Sequence, residues 1–129
     1  MSQTKTERPL SPHLFIYRMR LTFLMSGFHR VTGIVLYFGI AFLAWWLVAA
    51  ASGPKAFSWA SWFFGSFIGF LVLFGLSWAL IHHAIGGIRH FAWDLRIGLT
   101  KQATQQWALA TIVASVALTI LLWIIVLIV

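Results

Sequence analysis

Cysteine is absent from the 129-residue sequence. That excludes disulfides, thiolate metal sites, iron–sulfur ligation and covalent c-type haem attachment by this chain. Acid is almost absent too. Two Asp and Glu residues stand against nine Lys and Arg, and only 9% of residues are charged, where a soluble domain carries about 25%. With no cysteine, two acidic residues and no pair of histidines four apart, a zinc site is poorly supplied. No buried Asp is available to orient a histidine for nucleophilic hydrolysis. The opening stretch "MSQTKTERPLSPHLFIYRMR" lacks a short apolar core followed by a small-residue cleavage site, so no cleavable signal is expected. It also lacks a long Arg- and Ser-rich presequence, which suits a bacterial chain or one already processed.

What remains is apolar. The chain is 61% hydrophobic, with a mean hydropathy of +0.93. No water-soluble packing hides that much apolar surface at this size, so the class is integral membrane protein. The formal charge of +7 does not imply nucleic acid, because the basic residues flank apolar runs in the manner of topology signals.

A span needs about 20 mainly apolar residues. Three uncharged runs qualify: Val31 to Ala51, Ala56 to Ile81 and Trp107 to Val129. The expectation is one all-α membrane domain over 1–129, with a polar segment at 1–22 and spans at about 24–51, 60–90 and 105–128. Ser52-Gly53-Pro54-Lys55 carries the chemistry of a helix end. Lys5, Arg8, Arg18, Arg20, Arg30, Arg89, Arg96 and Lys101 fall on one side of the spans, and Lys55 alone falls on the other. The positive-inside rule then puts the N-terminus in the cytoplasm and the C-terminus outside. Trp45, Trp46, Trp59, Trp62 and Trp123 gather toward the outer interface, and Trp93 and Trp107 toward the inner one. Gly65 and Gly69 form a small-xxx-small pair of the kind that brings membrane helices close.

Three histidines interrupt this apolar chain in "LIHHAIGGIRHFAWD", Leu80 to Asp94. His83 and His90 are seven residues apart, about 700° of helical rotation, so they share a face roughly 10 Å apart along the axis. Gly87 lies between them on that face, with Gly86 close by. An imidazole with glycine one turn on leaves a notch where a flat macrocycle can lie, and haem needs in addition donors for its propionates. Arg89, His90, His29 and Arg30 are candidates for those donors at the inner end. The plainer alternative is that His83 bonds to a neighbouring helix, although intramembrane ionisable groups are functional by default. His82 points about 100° away from His83 and reads as a packing or headgroup histidine. His13 reads as a loop residue or a contact to a partner. In "SGFHRVTG", Ser26 and Arg30 are i,i+4 neighbours. A hydroxyl and a guanidinium at the membrane interface suit the carbonyl oxygens of a quinone. The alternative is a topology arginine beside a helix-starting serine.

Three separated blocks together resemble one family. "RPLSPHLFIYR", Arg8 to Arg18, looks like its N-terminal block. Ser26, His29, Arg30 and Thr32 fit its serine, two residues, His-Arg signature. "HAIGGIRHFAWD", His83 to Asp94, fits its second signature. The chain resembles, over essentially its whole length, the cytochrome b membrane-anchor subunit of succinate dehydrogenase, the respiratory succinate:quinone oxidoreductase. Two positions depart from the pattern: Arg96 stands where a small residue is usual, and Gly27 where a larger apolar one is common. The resemblance implies that His83 is an axial ligand of haem b, with the other axial histidine supplied by a second small anchor subunit in a shared helical bundle. It implies that His29, Arg30, His90 and Gly87 border the haem, and that Ser26, Arg30 and Asp94 line the quinone site. It implies partners as well: an iron–sulfur subunit and a flavoprotein whose Fe–S clusters and FAD carry the succinate chemistry, so that no catalytic residue lies in this chain. The expected location is the bacterial inner membrane. A fumarate reductase anchor running the chemistry in reverse, and a haem-free structural anchor, are the alternatives.

Overall fold

The computed structural model describes residues Pro12, Ile16 and 19–129. His13 and most of the block from Arg8 to Arg18 lie outside the described residues. Among the described residues there is no strand. The described residues form four helices: α1 (Leu21–Ser52), α2 (Pro54–Phe64), α3 (Phe67–Asp94) and α4 (Lys101–Ile128). Of these, α1, α3 and α4 are long and apolar enough to cross a membrane. With 32 residues, α1 is about 48 Å long, so it reaches well past a hydrocarbon core of about 30 Å.

Each boundary has a local cause. Helix α1 ends at Gly53, whose φ of 107° lies where L side chains rarely go, and Pro54 opens α2 at a position where its missing N–H costs nothing. The uncharged run Ala56 to Ile81 was expected to feed one helix over about 60–90. Instead it is divided at Gly65-Ser66. Ser66 is extended (φ −78°, ψ 163°), and its hydroxyl accepts from the Gly69 N–H at 3.1 Å, which caps a new helix. Gly69 is needed there because a Cβ would collide with the Phe63 carbonyl at the end of α2. The Gly65–Gly69 pair therefore shapes this corner rather than a seam between long helices. Hydropathy sees neither feature, since a serine and two glycines do not interrupt an apolar run.

The far end of α3 closes in a Schellman arrangement. The Ile97 N–H donates to the Ala92 carbonyl and the Arg96 N–H to the Trp93 carbonyl, both at 2.8 Å. Arg96 occupies the left-handed position (φ 60°) that glycine usually fills. Gly98 also has positive φ (74°), and the Trp107 ring sits where its side chain would be. Thr100 then caps α4 by accepting from the Ala103 N–H at 3.2 Å.

Packing between the long helices inverts the order found in water. The buried apolar residues are Met25, Ala49, Ala60, Ala79 and Ala108, nearly all of them small. Buried with them are Thr32, His82, Arg89, Thr111, Ser115 and Thr119, while the large aliphatic residues face outward. In lipid nothing drives Leu and Ile inward, so small residues allow close approach and polar ones bond across or back onto their own helix. On α4, Thr111, Ser115 and Thr119 recur every four residues, and each hydroxyl donates to a carbonyl of the preceding turn. This stripe and Ala108 form the face that α3 packs against.

Candidate functional site

The N-terminal half of α1 and the C-terminal half of α3 meet in a cluster of imidazoles. The His29 and His83 rings stack with centroids 4.0 Å apart and planes 7° from parallel. His90, one face-repeat along α3, has its ring centroid 5.2 Å from that of His29 and the same distance from that of Trp93. The contact is close because two glycines make room. At Gly33 a Cβ would come within 3.1 Å of His83 Cε1, and at Gly86 it would come within 2.6 Å of His29 Nδ1.

His83 is held by its Nδ1. That nitrogen lies 3.1 Å from the His29 carbonyl oxygen and 3.2 Å from Thr32 Oγ1. A carbonyl can only accept, so Nδ1 carries the hydrogen and donates it. Thr32 is itself oriented, because its hydroxyl donates to the Phe28 carbonyl at 2.8 Å, which leaves its lone pairs free for Nδ1. Nε2 of His83 therefore carries the lone pair, and among the described residues it makes no hydrogen bond. That is the tautomer of a metal-ligating imidazole, anchored through one nitrogen and open at the other. No group of three or more His, Asp or Glu capable of holding a bare ion occurs among the described residues. An imidazole with a free nitrogen would suit a metal that arrives with ligands of its own. His29 is less suited through Nδ1, since that atom is buried, unpartnered and pressed toward Gly86.

His82 turns the other way. It is 1% exposed, and its Nδ1 lies 3.1 Å from Ser115 Oγ on α4. The Phe28 and Trp78 rings pack against it at centroid distances of 6.0 and 5.1 Å. Packing is therefore its place, and the headgroup alternative falls away. Arg89 also differs from expectation. Six residues from His83, it is turned about 120° off that face and lies with His82 on the buried side. It is 3% exposed, its Nε has no partner, and its guanidinium carbon sits 4.9 Å from the centroid of the Trp93 ring. Arg89 thus leaves the group of donors grouped with His29 and His90.

The two adjacent glycines of α3 meet different surroundings. Gly87 has nothing of this chain within 4 Å of where a Cβ would lie, whereas Gly86 is buried against His29. Thr32, Gly33 and Gly86 were missed as site residues. Thr32 and Gly33 sit one turn after His29, in a signature whose site roles fell to Ser26, His29 and Arg30. Ser26 and Arg30 are exposed on α1, and Asp94 is exposed at the end of α3. All three lie at the end of the bundle that bears the imidazoles, but this chain by itself does not close a pocket around them.

Known proteins resemble this chain along most of its length. The succinate dehydrogenase/fumarate reductase transmembrane subunit family matches residues 4–122. The succinate dehydrogenase cytochrome b556 subunit of Paracoccus denitrificans is 43% identical over 114 residues, covering 88% of each chain. That of Rickettsia felis is 35% identical over 128 residues, covering 96% of this chain and all of the relative. The mitochondrial cytochrome b560 subunit of Sus scrofa is 37% identical over 122 residues, covering 88% of this chain and 70% of the relative. With three long apolar helices, and a match that runs through both histidine-bearing segments to within a few residues of the C-terminus, the chain belongs to the transmembrane subunits of succinate dehydrogenase and fumarate reductase, among their cytochrome b members.

Proposed function

We propose that this chain is the haem b-carrying anchor of a succinate dehydrogenase, supplying half of a bis-histidine iron site and part of a quinone-reducing site. The state of His83 carries the reading: Nδ1–H is given to the His29 carbonyl and Thr32, and Nε2 has no partner. The relatives named as cytochrome b subunits support it. Within this chain His83 would hold the iron, and His29 and His90 would stand at the polar edge for the propionates. Arg30, exposed one residue beyond His29, is free to reach the same edge. Gly87 faces open space where a macrocycle could lie. Bound haem supplies a one-electron store beside the quinone. The family resemblance implies that the other iron-binding histidine would come from a second small anchor subunit.

Ser26, Arg30 and Asp94 are the chain's contribution to the quinone site. A quinone gains electron density on its oxygens as it is reduced. A hydroxyl and a fixed positive charge aimed at those oxygens stabilise the reduced forms more than the oxidised one. Their exposure fits a pocket whose remaining walls come from the iron–sulfur subunit and the second anchor. Succinate oxidation, with its FAD and Fe–S clusters, stays in the soluble partners that this chain docks to the bacterial inner membrane. Eight of nine basic residues at one end of the spans support a cytoplasmic N-terminus.

The test is the reduced-minus-oxidised optical spectrum of the purified complex. His83→Ala should lose or strongly alter a b-type signal, and His82→Ala should keep it. Equal loss in both variants would assign the iron wrongly, and a complex with no b-type signal at all would make the chain a structural anchor.

A further inference from the structure

The segment His29-Arg30-Val31-Thr32-Gly33 does more than place residues near His83. Its geometry is that of a seat for one imidazole. Gly33 lets the ring's Cε1 edge approach the α1 backbone. The His29 carbonyl and Thr32 Oγ1 converge on the same nitrogen, at 3.1 and 3.2 Å. Thr32 is 1% exposed, so no water competes for its hydroxyl. A single hydroxyl hydrogen is available to it, and carbonyls of the preceding turn, Phe28 at 2.8 Å and His29 at 3.0 Å, take that hydrogen. What Thr32 presents to His83 is therefore an acceptor.

Resting on the reading of His83 as an iron ligand, we infer that Thr32 is a positioning residue that fixes the His83 tautomer and sets its donor strength. Nδ1–H is shared between two acceptors, which draw its proton outward, leave more electron density in the ring and make Nε2 a stronger base. A stronger base favours the more highly charged ferric state over the ferrous one. The carbonyl acceptor belongs to the backbone and cannot be removed by mutation. The hydroxyl is the part that a side-chain change can adjust, which makes residue 32 the position that tunes the potential from this side of the ring.

The experiment uses the intact complex and compares Thr32→Val, Thr32→Ala and Thr32→Ser with the parent. Two readouts apart from turnover are taken: the midpoint potential of the b-type haem, and the low-field g value of the ferric haem. Removal of the acceptor should favour the ferrous state about three- to tenfold. At 59 mV per tenfold for a one-electron couple, that is a rise of about 30–60 mV. Thr32→Ser, which keeps the hydroxyl, should stay at the parent values. If Thr32→Val and Thr32→Ala lose haem and Thr32→Ser retains it, the hydroxyl is required for ligation and the inference stands. Parent-like potentials in Thr32→Val or Thr32→Ala would overturn it. Haem loss in all three variants would also overturn it, since shape and not the hydroxyl would then be the requirement. His83→Ala separates this failure from failure of the wider reading: an unchanged b-type spectrum there removes both ideas, while haem loss there with an unshifted Thr32→Val removes only the role of Thr32.

Discussion

Adjacent histidines on a helix meet different surroundings, and here the difference separates chemistry from packing. His83 faces α1, held at Nδ1 with Nε2 accessible, whereas His82 faces α4, with Nδ1 at Ser115 and Nε2 buried without a partner. Ser115 donates its own hydrogen to the Ile112 carbonyl at 3.0 Å, so it accepts from His82. Ser115→Ala would leave a buried N–H without an acceptor, which costs about 1–3 kcal/mol. Thermal inactivation of the complex should move to lower temperature while the haem spectrum stays as in the parent. A spectral change in Ser115→Ala would place His82 in the cofactor environment after all. The glycines allow a parallel contrast. Gly86→Ala puts a methyl 2.6 Å from His29 Nδ1, and overpacking of this kind costs about 1–3 kcal/mol. Gly87→Ala meets nothing of this chain. Only the first should lower the stability of haem-depleted protein in a melt, and equal melts for the two would contradict the close approach at Gly86. At the quinone residues, Ser26→Ala removes one hydrogen bond, about 0.5–1.5 kcal/mol, and Arg30→Ala removes a charged donor, about 1.5–3 kcal/mol. Quinone reductase activity divided by soluble-dye reductase activity should fall in both, and further for Arg30→Ala. An unchanged ratio in both would reduce the pair to a topology signal.

Elements are stopped and started by a few residues whose backbone preferences override hydropathy. Arg96 accepts a left-handed φ of 60° to complete the Schellman closure of α3. For an L residue that conformation costs about 1–2 kcal/mol, and glycine avoids most of it. Arg96→Gly should therefore raise the melting temperature of the complex with no change in haem potential, and a lower melting temperature would show that the guanidinium carries a stabilising contact larger than the strain. The corner at Gly65-Ser66 depends in the same way on the Ser66 cap, whose loss costs about 0.5–2 kcal/mol. These positions also explain what could be read from the chain alone. The three long helices, the side of α3 that bears His83 and the opposite placement of His82 follow from run length and 100° per residue. The division of the second run does not, because a serine cap inside an apolar stretch leaves hydropathy unchanged. Arg89 and Thr32 were misjudged for a different reason. Which residue of α1 lies against which residue of α3 is a matter of register between helices, and no pattern within either helix contains it. Of the candidate site, then, the identity of the imidazoles was legible, and the hydrogen bonds that orient them were not.

At the scale of the molecule, the distribution of side chains is the argument for both membrane and partners. Helices α1, α3 and α4 bury Ser, Thr, His and Arg and present Leu, Ile, Val and Phe. Ser26, Arg30, Asp94 and the free nitrogen of His83 lie at one end of this bundle, and the proposed quinone site there would need walls from other subunits. Orientation decides which compartment that end faces, and the chain's lack of cysteine gives a direct measurement. Ser52 is exposed at the end of α1, and Gln102 is exposed at the start of α4, one span-length apart through α3. Ser52→Cys should react with a membrane-impermeant thiol reagent added to spheroplasts, because one basic residue, Lys55, marks that end as outside. Gln102→Cys should react only in inside-out vesicles stripped of the soluble subunits, because Arg89, Arg96 and Lys101 mark its end as inside. Label is scored on this chain alone, so cysteines of other subunits do not interfere. Reaction of both variants from the same side would eliminate the odd number of crossings between them, and with it the three-span arrangement. Reaction from opposite sides in the reverse sense would keep the spans but place the imidazole end outside, away from any soluble flavoprotein and iron–sulfur partners in the cytoplasm.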